Sequence, residues 1–193
     1  MEISIYLEGK ADKKFIEDIF QHLQPKVEVV KPTIISGYTN LKYFENQISA
    51  THDLGGKNYI IFDADQNKSE KIFEIKRIEN QYDCSIELFF FPDNESPGDL
   101  EDLLLRIINP EHQIIIDCFQ EYQGCLENVD DYILPNKKAM IFAYCEALLP
   151  KKEAKKIREE HRDYLDEKLW NIHSEFLEPI KEFLRDIIES ADA

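Results

Sequence analysis

Short apolar runs alternate with stretches of helical spacing through the first half of the chain. Ile3-Ser4-Ile5-Tyr6-Leu7 reads as a strand, and Phe15, Ile16, Ile19, Phe20 and Leu23 then recur on one face of a helix. Val27 to Val30 and Ile34-Ile35, around Pro32, predict a second strand region, followed by a short helix around Leu41, Phe44 and Ile48. Asn58 to Phe62 is continuously apolar after its first residue, the pattern of a parallel strand buried on both faces. Ile72, Ile75 and Ile78 mark a polar helix, and Ile86 to Phe91 a fourth strand. Strands alternating with helices of this length imply a parallel sheet with right-handed crossovers.

The alternation stops at Phe91-Pro92-Asp93-Asn94-Glu95-Ser96-Pro97-Gly98-Asp99, a run of turn formers. Asp99 is placed to cap a helix carrying Leu100, Leu103, Leu104, Ile107 and Ile108 on one face. Beyond it the spacing reads as helical to the end, where Phe176, Leu177, Ile180, Phe183, Leu184, Ile187 and Ile188 form the last apolar stripe. The predicted organisation is an α/β domain over 1–110 and a helical C-terminal extension over 111–193 packed on it as one unit. No internal repeat or low-complexity linker separates them.

Composition narrows the function classes. A chain of 193 residues with 43% hydrophobic and 32% charged residues is that of a globular protein able to bury its own core. No apolar run approaches the roughly 20 residues of a membrane span, and the N-terminus reads as a first strand rather than a signal peptide. Cys84, Cys118, Cys125 and Cys145 form no CxxC pair and have no His at zinc-ligand spacing, so reduced thiols in a cytoplasmic protein are expected. The formal net charge of −16 argues against a sequence-reading nucleic-acid binder, which carries a basic footprint. A nuclease is compatible with it where metal and a local basic patch offset the repulsion.

Two acidic motifs follow strands. Glu8-Gly9-Lys10-Ala11-Asp12 comes after the first, and Asp63-Ala64-Asp65 after the third. Ligands of parallel sheets gather beyond the carboxyl ends of the strands, near a topological switch point. Gly9 is expected to permit a tight strand-to-helix turn that lets Glu8 face the cleft. The alternate spacing of Asp63 and Asp65 is expected to send both carboxylates off the strand end together. Carboxylates so crowded repel one another, and a hard cation such as Mg²⁺ relieves the repulsion. Asp12 suits a helix cap as well as a ligand. Glu101 and Asp102 sit where acids complement a helix dipole, and Glu101 could also turn back towards the cleft. Asp93 and Glu95 read as loop residues.

These two motifs resemble those of the Toprim domain, the Rossmann-like fold shared by topoisomerases, primases, ribosomal-RNA maturation nucleases and OLD-type nucleases. The likeness covers roughly residues 1 to 107, and Pro92-Asp93-Asn94 with Gly98-Asp99-Leu100-Glu101-Asp102 is similar to a small Toprim-like bacterial family. The resemblance implies a central parallel sheet flanked by helices. It also implies that Glu8 acts as metal ligand or general acid/base and that Asp63 and Asp65 bind Mg²⁺, for which Mn²⁺ can substitute. OLD-type nucleases use an acid four residues after the first Glu, here Asp12, and a further downstream acid, for which Glu101 is the candidate. They also use a downstream lysine, for which Asn136-Lys137-Lys138-Ala139 offers Lys138 and Lys137. A topoisomerase's tyrosine-bearing domain and a primase's zinc module have no counterpart in the chain.

The expected activity is Mg²⁺-dependent hydrolysis of DNA or RNA phosphodiesters. A second expectation is a conditionally active or non-catalytic partner of a separate ATPase, since OLD-like systems carry one and this chain has no Walker A motif. A receiver-like phosphoacceptor at Asp63 is a third. Against it, the first strand ends in Glu-Gly rather than an acidic pair. A haloacid-dehalogenase-type phosphatase would carry Asp-x-Asp after the first strand, not the third. Lys151, Lys152, Lys155, Lys156, Arg158 and Arg162 make the densest basic run and read mainly as a solvated helix face.

Overall fold

The computed structural model describes residues 2–23 and 32–192. The expected strand residues Val27 to Val30 lie outside that range. Among the described residues, four parallel strands form one sheet in the order β2-β1-β3-β4: β1 (Ile3–Leu7), β2 (Thr33–Ile34), β3 (Lys57–Asp63) and β4 (Ile86–Phe91). β1 pairs with β3 from Ile3↔Lys57 to Leu7↔Ile61, and β3 with β4 from Asn58↔Ile86 to Asp63↔Phe91. The fold is therefore α/β and Rossmann-like, as its strand–helix alternation predicts. The strand order reverses direction at β1, which places the topological switch point between β1 and β3.

Side-chain alternation along the strands builds two cores. Ile5, Leu7, Tyr59, Ile61, Phe89 and Phe91 point to one face, and Tyr6, Ile60, Phe62 and Phe90 to the other. The second face is covered by a 3-10 turn (Tyr38–Tyr43), α2 (Glu45–Asp53) and α3 (Lys68–Tyr82), through Leu41, Ile48, Ile75 and Ile78. The single short helix expected around Leu41 and Ile48 is thus a 3-10 turn followed by an α-helix that starts at Glu45.

The first face is covered by α1 (Lys10–Leu23), α4 (Leu100–Arg106), α6 (Lys137–Leu148) and α7 (Glu178–Asp192). Asp99 caps α4 as its sequence position suggests, accepting from Asp102 N–H, while the Asp102 carboxylate accepts from Asp99 N–H. Phe183 of α7 packs on Tyr59 and Phe89 of the sheet, with ring centroids 5.9 and 5.5 Å apart. The C-terminal helices therefore share one core with the sheet. α5 (Gln113–Glu127) lies outermost, with Ile116 alone buried.

Residues 150–177 depart from the expected helix. Pro150 closes α6, because the residue before a proline avoids the α conformation. The basic run then forms 3-10 turns over Lys151–Ile157 and Glu159–His161. Arg162 is buried, donating to Ile157 O at 2.8 Å, so it is no part of a solvated face. Further on, Trp170 bridges Ile108 antiparallel and packs between Tyr144 and Tyr164. No helix among the described residues is long and apolar enough to cross a membrane.

Candidate metal centre

The site forms where β1 and β3 end side by side. Glu8 directly follows the buried Leu7, and Asp63 is the last residue of β3. Leu100, first residue of α4, donates its N–H to Asp63 Oδ1 at 2.9 Å, which points the positive end of that helix at the carboxylate. Asp12, third residue of α1, accepts Gly9 N–H at 2.7 Å. Its cap role and its place in the cleft are thus compatible. Gly9 does not occupy the left-handed region. Its N–H bond to Asp12, rather than conformational freedom, shapes the turn. Glu101 is buried at 6% exposure beside Lys138, whose Nζ lies 3.4 Å from Glu101 Oε1 and 3.9 Å from Glu159 Oε1. Asn136 caps α6, accepting Ala139 N–H, and so sets Lys138 at that helix's start.

Glu8, Asp12, Asp63, Glu101 and Lys138 line one cleft of about 200 Å³, with Lys10, Gly37 and Glu159 at its walls. Glu101 is paired with Lys138, but Asp12 and Asp63 have no ion-pair partner among the described residues. Burial, then the neighbouring Asp12 charge, push Asp63 up to about 8, with Glu8 and Glu101 adding to the shift against the opposing Leu100 N–H. Burial likewise raises Asp12 to about 6, offset in part by the Gly9 N–H and reinforced by Glu101 and Glu8. Glu101 is raised by burial, with Lys138 opposing.

Asp65 does not join these four. The strand ends at Asp63, and Asp65 adopts a left-handed backbone at φ 46°, so strand alternation no longer governs where its side chain goes. Its N–H is tied to Gly98 O at 2.7 Å. Gly98 is itself required there: its φ is 144°, and a Cβ would collide with the Asp102 carboxylate. Asp65 lines a neighbouring pocket of about 610 Å³ with Gln66, Asn67, Asp99, Asp102 and Lys137. Lys137 is engaged by Asp99 and Asp102, each at 2.7 Å, which leaves Lys138 as the lysine of the pair that faces the acidic cleft.

One residue of the centre escaped the sequence reading. Lys71 of α3 is 1% exposed, and its Nζ lies 2.6 Å from Glu8 Oε1, 2.8 Å from Asp63 O and 2.9 Å from Asp65 Oδ2. The sequence carried a signal for it. Lys71 precedes Ile75 and Ile78 by four and seven residues, so it falls on the buried face of an otherwise polar helix. Among the described residues, no three His, Cys, Asp or Glu side chains are already gathered closely enough to hold one ion. Lys71 draws Glu8 and Asp65 to itself, and the remaining acids repel one another.

Over residues 3–189 the chain matches the family described as "Protein of unknown function (DUF3226)". No curated protein matches it, and no solved structure does. Since the match spans nearly all of its 193 residues, the chain belongs to that family.

Proposed function

We propose that the chain hydrolyses nucleic-acid phosphodiesters with the help of Mg²⁺ or Mn²⁺, as its resemblance to Toprim nucleases implies. The observation that carries this reading is the cleft at the switch point, where the buried Asp12 and Glu101 meet the half-buried Glu8 and Asp63, with Lys138 at the rim and no ion-pair partner for Asp12 or Asp63 among the described residues. The donor set fits a hard divalent ion, being all carboxylate oxygen with too little positive charge of its own. Glu8 and Asp63, with Asp12 and Glu101 beside them, would hold the ion. Bound there, it would neutralise phosphate charge and supply Lewis acidity to the cleavage.

The chain's own groups complete the arrangement. Glu8 offers one oxygen to Lys71, which fixes the carboxylate and leaves its other oxygen to face the ion in the cleft. Lys138 brings an ammonium group to where charge develops on the cleaved phosphate. The walls also carry Lys10, so two cations flank the entry for an anionic strand.

The test is cleavage of plasmid DNA and structured RNA by the purified chain. Cutting is expected with Mg²⁺ or Mn²⁺ and not with EDTA, and Asp63→Asn or Glu8→Gln should lower it by about 100-fold or more. Activity that survives both substitutions sinks the reading. One observation favours the alternative of a partner working with a separate ATPase: the net charge of −16 opposes unaided binding of nucleic acid. Efficient, ATP-indifferent cutting by the chain alone would remove that alternative.

A further inference from the structure

Lys71 has the lowest exposure of any charged side chain among the described residues, at 1%. Its ammonium group has three donors, and three acceptors meet it: Glu8 Oε1 at the end of β1, Asp63 O at the end of β3, and Asp65 Oδ2 in the turn that follows. The rings of Tyr38 and Phe62 lie 5.2 and 5.9 Å from Nζ. Two carboxylates and a backbone carbonyl are the oxygen ligands that a hard cation takes. Here they surround a cation that is covalently part of the chain. A second mobile ion at the same place would meet a fixed positive charge and find its ligands in use.

The geometry points to Lys71 as a positioning residue whose ammonium group fills the cation place between Glu8 and Asp65. On the metal reading proposed above, the centre then takes one divalent ion, in the cleft of Glu8, Asp12, Asp63 and Glu101, and leaves Asp65 outside its ligand set. The position of Asp65 agrees: its side chain is 47% exposed and lines the neighbouring pocket rather than the acidic cleft. Glu8 is the shared element, holding Lys71 with one oxygen and facing the cleft with the rest of its carboxylate. Removing the Lys71 charge exposes Glu8, Asp65 and the Asp63 carbonyl together, which creates an oxygen-lined gap with net negative charge.

The test is a Mn²⁺ titration of the full chain, followed by electron paramagnetic resonance of the free ion. The wild-type chain should bind one ion. Asp65→Asn should bind one ion with an affinity within about threefold of wild type. Lys71→Met should bind two, a gain that loss of structure cannot produce. Two ions on the wild-type chain, or an Asp65→Asn affinity reduced by about tenfold or more, overturns the proposal. So does a folded Lys71→Met chain that still binds one. If Lys71→Met does not fold, the wild-type count and the Asp65→Asn arm decide. Thermal unfolding in EDTA separates this inference from the metal reading. Lys71→Met should melt below wild type, and adding Glu8→Gln to it should recover part of the loss as the repulsion from Asp65 is relieved. A wild-type chain that binds no Mn²⁺ overturns the metal reading and the single-ion count, and the melts then judge the anchoring alone. Equal melting of Lys71→Met and wild type overturns the anchoring.

Discussion

Asp63 and Asp93 both leave the sheet at the carboxyl end of a strand, one closing β3 and the other two residues beyond β4, and they meet opposite surroundings. Asp93 accepts N–H groups of Glu95 and Ser96, the Ser96 hydroxyl at 2.9 Å and the Arg106 guanidinium at 2.8 Å. Burial works against its charge, but these donors outweigh it and bring the pKa down to about 2. Asp63 accepts one N–H and faces three other acids, and its pKa climbs to about 8. The loop uses its acid to hold itself together. The cleft keeps acids whose charge nothing in the chain fully balances, an arrangement typical of binding and reacting sites.

The comparison breaks most visibly on metal binding. Asp63→Asn should weaken Mn²⁺ binding by about 100-fold or more, whereas Asp93→Asn should leave it unchanged, both read by calorimetric titration. Equal losses from the two would mean that the contrast in surroundings has no functional meaning.

Next in size is the dependence of stability on pH. For Asp63 and Asp12 the folded pKa exceeds the unfolded value, so the native state holds protons that the unfolded chain releases. Their contribution is fully present below about pH 4 and is lost as pH rises through about 6 and about 8. Asp93 has the opposite sign. Its contribution is present above about pH 4 and is lost as pH falls towards about 2. In EDTA the wild-type chain should therefore lose stability to urea between pH 5 and pH 8, and Asp63→Asn should flatten that slope. Each pKa unit is worth about 1.4 kcal/mol, so a difference on the order of 2 kcal/mol needs well under half of the Asp63 shift. A wild-type slope no steeper than that of Asp63→Asn would show that the cleft acids are balanced by something else.

Smaller again is the structural loss at the loop. Asp93→Ala removes the acceptor of four bonds and leaves Arg106 unpaired, at a cost of about 1.5 kcal/mol in urea unfolding at pH 7. Unchanged stability would mean the loop holds its shape without its carboxylate.

The two regions also differ in how far they could be read from sequence. The strands were legible because apolar runs such as Tyr59 to Phe62 have no other place to go, and with them came the positions of Glu8 and Asp63 beside the switch point. The cap at Asp99 was legible because Asp at that spacing from Asp102 satisfies helix-end N–H groups locally. Asp65 was not, because its left-handed backbone is imposed by the Gly98 contact from another loop, and strand alternation stops two residues earlier. Lys71 was missed because a lysine is ordinarily solvated, although its helical register with Ile75 and Ile78 marked the buried face. The segment around Tyr164 and Trp170 lacked helical spacing throughout, and its expected helix came from its neighbours rather than from its own pattern.

The smallest expected effect separates two adjacent lysines. Lys137 and Lys138 begin the same helix, and their residue type and position cannot tell them apart. Lys137 is half-covered and bound to Asp99 and Asp102, so it belongs with the loop. Lys138 reaches the cleft beside Glu101. Lys137→Ala should lower stability by about 0.5 to 1 kcal/mol, the range of partly exposed pairs, while cleavage persists. Lys138→Ala should barely move the melting temperature and should reduce cleavage, since its loosely held ammonium group is free to meet a phosphate. The reverse result, cleavage lost with Lys137 and kept without Lys138, would move the working face of the molecule to the pocket of Asp65, Asp99 and Asp102. The acidic cleft would then be a structural cluster after all.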